Sequence, residues 1–171
     1  MENYLTDFEK IREECIKLRK EWTEYSTWKG ISCASKYSNV LKQFYFEELP
    51  KLGREFIGEK MYYFNDQAVV KMPNDGMVFL PHYDNFYGPN RDGKIHTVNL
   101  LLILDDITKE NGGLKVSDLF LYPKAGDIVA INGNTIHGSG ENKSEHPRVC
   151  YACVYTESPI QLKGFYNDEV R

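Results

Sequence analysis

His82-Tyr83-Asp84 places two metal-capable side chains two residues apart. If the surrounding GMVFLPHY runs as a strand, residues i and i+2 leave the same face and reach a common point. A divalent ion that must bind both O₂ and an organic co-substrate needs a third ligand on that side and open positions opposite, the two-His-one-carboxylate arrangement of non-haem Fe(II) oxygenases. The chain has four histidines, His82, His96, His137 and His146, so few third ligands are available. His137 lies 53 residues beyond Asp84, directly after the hairpin-type signal Asn132-Gly133-Asn134 and hence near a strand end. His146, in the polar run ENKSEHP, is its rival, although that exposed setting tells against it. His96 opens a strand and reads as a surface residue.

Eleven residues after His137, Arg148 begins the run RVCYACVYT. Alternation puts Arg148 on one face with Cys150, Ala152 and Val154, and Val149, Tyr151, Cys153 and Tyr155 on the other. One cation among small apolar groups is costly to bury without an anion, and a planar guanidinium suits a carboxylate. The same alternation sends the thiols of Cys150 and Cys153 to opposite faces. They therefore read as buried small side chains, not as a zinc or redox pair, and so do Cys15 and Cys33.

The elements that must position these residues divide the chain in two. Leu5, Phe8, Ile11, Cys15, Leu18, Trp22 and Tyr25 recur at three- and four-residue steps and predict an amphipathic helix over about residues 4–26. A second helix is expected over about 38–56, kinked or split by Pro50. Beyond Gly58 the period becomes two. KMYYFN and QAVVKM read as short strands punctuated at Asn65-Asp66, followed by GMVFLPHY, HTVNLLLIL, strands near 114–116, 119–122 and 127–132, and Arg148 to Thr156. Two helices and about eight strands predict an α+β chain with a barrel or sandwich.

Composition narrows the class. The 171 residues carry 21 Lys plus Arg against 25 Asp plus Glu, a formal charge of −4, with 42% hydrophobic residues. That size suits one domain: 1–58 as helical support, 59–156 as the β core and 157–171 as a tail. The acidic balance argues against a nucleic-acid partner. The aliphatic run Leu100 to Leu104 has five residues, and no apolar run approaches the roughly 20 that cross a bilayer. The polar start MENYLTDFEK has no secretory pattern, so no membrane association and a cytoplasmic location are expected. Oligomeric state is not legible.

FLPHYDNF, LLLILDDITKENGGLKV, YPKAGDIVAI and IHGSGENKSEHPRVCY, in that order over roughly residues 60–156, resemble the Fe(II)/2-oxoglutarate-dependent dioxygenases. The likeness is to the prolyl-4-hydroxylase-like and phytanoyl-CoA-dioxygenase-like branches, with Arg148 in the basic role closer to the second. The resemblance implies a double-stranded β-helix (jelly-roll, cupin-like) core, with Fe(II) held by His82, Asp84 and His137. It further implies that Arg148 binds the distal carboxylate of 2-oxoglutarate, that Ser139 and Asn99 hydrogen-bond this co-substrate, and that O₂ is consumed. The implied reaction hydroxylates a small-molecule or peptidyl, including prolyl, substrate and releases succinate and CO₂. In the loop 85–95, Asn85, Phe86, Tyr87, Asn90 and Arg91 are candidates for a lid, with Tyr87 and Arg91 as substrate contacts; a plain Gly-Pro loop is the alternative. Two competing readings are a non-catalytic cupin-like barrel, for which an inward Arg148 has no use, and a hydrolytic zinc site, for which no general base is evident.

Overall fold

The computed structural model describes residues 5–22, 30–86 and 90–170. The first helix, α1 (Leu5–Trp22), buries Ile11, Cys15 and Leu18 on one stripe. Residues 4 and 23–26 of the expected helix lie outside the described residues. The expected 38–56 helix divides into α2 (Asn39–Gln43), a single wide π turn (Phe44–Glu48) and α3 (Pro50–Ile57). Pro50 has no N–H to offer the carbonyl of Phe46, which accepts the Tyr63 hydroxyl instead, at 2.8 Å. The π turn is closed by the Leu49 N–H on the Phe44 carbonyl, which frees the Tyr45 carbonyl to accept the Tyr155 hydroxyl at 2.8 Å. The split helix is thereby fastened to the sheet by two tyrosines.

Nine strands follow among the described residues: β1 (Gly30–Ser32), β2 (Tyr62–Lys71), β3 (Phe79–His82), β4 (Thr97–Ile103), β5 (Leu114–Val116), β6 (Leu119–Leu121), β7 (Ile128–Asn132), β8 (His137–Ser139) and β9 (Arg148–Thr156). They form two antiparallel sheets, a five-stranded one ordered β1-β2-β9-β4-β7 and a four-stranded one ordered β3-β8-β5-β6. Three expectations change. β1 lies between the two expected helices, where no strand was expected. Asn65-Asp66 does not divide two strands, because β2 runs through it with a bulge between Tyr63 and Asn65. Asn132-Gly133-Asn134 carries the chain from one sheet to the other and closes no hairpin, since β7 pairs with β4 and β8 with β3 and β5.

The five-stranded sheet is covered on both sides, which is why every residue of β4 is buried and Leu100 to Ile103 form a continuous apolar run. Val98, Leu100 and Leu102, with Val149, Tyr151, Cys153 and Tyr155, pack beneath the helices. Leu101, Ile103, Cys150 and Ala152 face the four-stranded sheet. All four cysteines are free and buried, and Cys150 and Cys153 lie in the two different layers. The C-terminal stretch is no loose tail: Glu169 bridges to Tyr62, and the Val170 N–H donates to the Met61 carbonyl at 2.8 Å.

Candidate active site

The space between the sheets holds a cavity of about 70 Å³, lined by His82, Asp84, Asn99, His137, Ser139 and Arg148 along with apolar residues. β3 delivers His82, and Asp84 opens a one-turn 3₁₀ helix (Asp84–Phe86) instead of continuing the strand as the i, i+2 reading expected. β8 delivers His137, directly paired with His82. The Nε2 atoms of His82 and His137 stand 3.6 Å and 3.5 Å from Asp84 Oδ1. One donor atom from each residue lies within 4.8 Å of the other two. Metal bonds of about 2.1 Å set neighbouring ligand atoms about 3 Å apart, so the triad closes on one ion with small side-chain movements.

The protonation pattern suits a metal. His82 Nδ1 is 2.7 Å from the Leu80 carbonyl and His137 Nδ1 is 3.0 Å from the Thr135 carbonyl. Carbonyls only accept, so each Nδ1 carries hydrogen, and Nε2, which can carry a proton facing Asp84 without a metal, is the atom whose lone pair a metal would take. Burial raises the Asp84 carboxyl pKa, but the His82 hydrogen bond, the His137 charge and the Asn99 amide outweigh it and hold it below the ordinary value. Asn99 Nδ2 donates to Asp84 Oδ2 at 3.0 Å. Asn99 thus orients the carboxylate, while its buried Oδ1 has no partner among the described residues and faces the same cavity. Asn85 and Asn90 are buried and act as braces. Asn85 Oδ1 accepts the Thr97 hydroxyl and its Nδ2 donates to Asn134 Oδ1, tying the Asp84 turn to β4 and to the loop before β8. Asn90 closes its own loop on both backbone atoms of Ile95.

Arg148 ends the cavity. It is 2% exposed; Nη1 donates to Cys150 Sγ at 3.3 Å, Nη2 reaches the Gly112 carbonyl at 3.4 Å, and the buried Nε has no partner. Gly112, at φ 93°, passes so close to the Gly140 carbonyl that a Cβ would collide with it. Among the described residues Arg148 forms no ion pair, so an anionic ligand is the partner this guanidinium lacks. Ser139 lines the cavity as well. Tyr87 lies outside the described residues, and Arg91 is exposed and lines neither this cavity nor its neighbour. His96 and His146 lie apart from the triad, and the His96 N–H donates to the Glu157 carboxylate.

Two residues that the motifs did not single out share this face. Lys71 is directly opposite Arg148 on β2 and fully buried. Its ammonium donates to the carbonyls of Ser139 and Gly140 and lies 5.4 Å from the Phe79 ring centroid. Burial, then the Arg148 charge, bring the pKa of Lys71 down to about 7. Gln67 lines this cavity and also a second one of about 480 Å³. A Gln and a Lys four residues apart, and so on one face of the strand, were the available signal.

The sequence profile described as phytanoyl-CoA dioxygenase (PhyH) matches residues 5–117 and 122–150. No curated protein matches the chain in sequence. Among solved structures, the chain is similar to the non-haem α-ketoglutarate-dependent carbocyclase SnoK from nogalamycin biosynthesis, with TM-score 0.76, 16% identity, and coverage of 90% of this chain and 76% of that one. EctD from S. alaskensis with bound Fe gives TM-score 0.74 and 16% identity over 91% of this chain and 71% of that one. The α-ketoglutarate-dependent epimerase SnoN, also from nogalamycin biosynthesis, gives 0.66 and 16% over 79% of this chain, which spans only 63% of SnoN. The chain belongs to the phytanoyl-CoA dioxygenase (PhyH) family, and its fold is similar to that of solved non-haem α-ketoglutarate-dependent enzymes.

Proposed function

We propose that this chain is a 2-oxoglutarate-dependent dioxygenase that hydroxylates an unactivated C–H bond of a small molecule, with His82, Asp84 and His137 holding Fe(II) and Arg148 holding the distal carboxylate of 2-oxoglutarate. The observation that carries it is the joint geometry: three convergent ligand atoms and a buried guanidinium with no ion-pair partner among the described residues open on one cavity. A metal-only binder has no use for that cation, and the described residues around the triad supply no general base for a hydrolytic zinc site. The alternation of the chain between sheets from β2 to β9, interrupted only by the β5–β6 hairpin, supports a double-stranded β-helix as the core.

Iron with 2-oxoglutarate and O₂ supplies the oxidising chemistry, leaving succinate and CO₂ as co-products. The chain's own residues do the rest. Nδ1–H bonds to backbone carbonyls fix both imidazoles, Asn99 holds the carboxylate, and Arg148 aligns the co-substrate by charge-assisted hydrogen bonds. The apolar walls of Leu101, Leu114 and Ile131 keep water from the cavity. The test is anaerobic titration with Fe(II) and 2-oxoglutarate, followed by O₂. A visible metal-to-ligand charge-transfer band and then succinate are expected; folded, iron-loaded protein that gives neither would refute the reading.

A further inference from the structure

The second cavity, about 480 Å³, adjoins the first and shares Gln67, Phe79, His82 and Asp84 with it, so it opens directly on the triad. Its volume lies within the range of sites for small organic ligands. One wall is apolar: Phe64 and Phe165 stack with centroids 5.2 Å apart and planes at 22°, and Val154, Val78 and Leu80 extend the surface. The opposite character comes from β1 and β2. Ser32 and Gln67 are directly paired across these strands and both line the cavity. Neither side chain makes a hydrogen bond among the described residues. Asn65, next along the same face, uses Oδ1 to accept the Cys33 N–H, which leaves its Nδ2 as a further donor. Apart from the triad's own His82 and Asp84, no Lys, Arg, His, Asp or Glu among the described residues lines this space.

A charged group brought into such a space loses its hydration and gains no counter-charge. An uncharged ring gains contact with Phe64 and Phe165, and its hydroxyl or carbonyl groups find both a donor and an acceptor in the Gln67 carboxamide and in the Ser32 hydroxyl. We propose that the 480 Å³ cavity takes an uncharged, ring-bearing small molecule oriented by hydrogen bonds to Ser32 and Gln67. This substrate class rests on the dioxygenase reading above for its chemistry, but not for its binding. The phosphates of a coenzyme A thioester would meet no Lys or Arg among the described residues that line this cavity.

The test uses the Fe(II)- and 2-oxoglutarate-loaded protein under anaerobic conditions and matched probes: phenyl β-glucoside against phenyl β-glucuronide, benzyl alcohol against benzoate, and benzoyl-CoA. Binding is read by ligand-observed NMR and by perturbation of the charge-transfer band, and stimulation of succinate release is read after O₂ is admitted. The neutral member of each pair is expected to bind at least tenfold more tightly than its carboxylate. Gln67→Leu and Ser32→Ala should each reduce that binding at least fivefold, with 2-oxoglutarate affinity unchanged in Ser32→Ala. Preference for the carboxylates or for benzoyl-CoA, binding indifferent to both substitutions, or no binding of any probe to protein that holds 2-oxoglutarate would each overturn the proposal. Neutral probes that bind with this pattern to protein lacking the charge-transfer band would sustain the cavity assignment and refute the dioxygenase reading instead.

Discussion

On the helix-facing side of the five-stranded sheet, the fully buried Asp66 carboxyl receives the Ser35 N–H at 2.7 Å and the hydroxyls of Ser35 and Tyr151 at 2.6 Å each. On the cavity-facing side of the same strands, Arg148 keeps an unpartnered Nε, Asn99 an unpartnered Oδ1, and Lys71 stands beside Arg148 with only carbonyls to receive its hydrogens. The two faces are one residue apart in sequence and have opposite polar accounts. Buried groups that find partners within the protein hold the fold together, whereas buried groups left wanting are held ready for a ligand. Stability and function should therefore separate cleanly by face.

The sharpest break is at the triad. His137→Ala should lower succinate formation about 1000-fold or more, beyond the 10–100-fold typical of an outer-shell partner, while leaving the circular dichroism spectrum unchanged. Next comes Arg148→Met, which should weaken 2-oxoglutarate binding on the order of 100-fold with little change in Fe(II) affinity. Removing a buried cation that has no protein anion should not lower Tm, and a marked drop in Tm would show Arg148 to be structural. Asp66→Ala on the opposite face should do the reverse. Losing three hydrogen bonds costs about 3 kcal/mol, roughly 6–12 °C in Tm by calorimetry, with turnover per folded molecule preserved. Asn99→Ala, acting through Asp84, should cost about 10–100-fold in iron affinity.

The smallest effect is on pH. Lys71 is a cation below about pH 7 and neutral above it, facing Arg148 and Cys150 on β9 with Asp75 and Glu141 nearby. Its protonated form adds to the attraction for a dianion, so 2-oxoglutarate affinity should fall as pH rises from 7 to 9, by roughly threefold to tenfold. Calorimetric titration across that range tests the sign, and Lys71→Met should flatten the profile.

Much of the site was readable because its residues are rare and ordered. His82, Asp84, His137 and Arg148 could be picked out as candidates from four histidines and one strand-initial arginine, and alternation along the last strand put Val149, Tyr151, Cys153 and Tyr155 in one layer and Cys150 and Ala152 in the other, as the structure does. Less legible was Asp84, whose position depends on a 3₁₀ turn braced by Asn85, Thr97 and Asn134, residues that are remote from one another in sequence. Asn85 and Asn90 looked like lid residues because Gly, Pro and Asn mark loops whether those loops move or brace. Ser32 and Gln67 carried no motif at all. They meet only because β1, in a stretch without strand periodicity, pairs with β2.

Local rules therefore determined what is periodic or chemically scarce in this chain: the α1 stripe, the strands, the triad's identities and the inward cation. The stripe, the strands and the inward cation are each decided by spacing along one element, and the triad by the scarcity and order of its residue types. Tertiary structure alone decided how the two sheets face each other, which buried polar atoms are satisfied and which are left open, and that Lys71 lies opposite Arg148. Those outcomes depend on pairing between distant strands, whose register is set by the whole core.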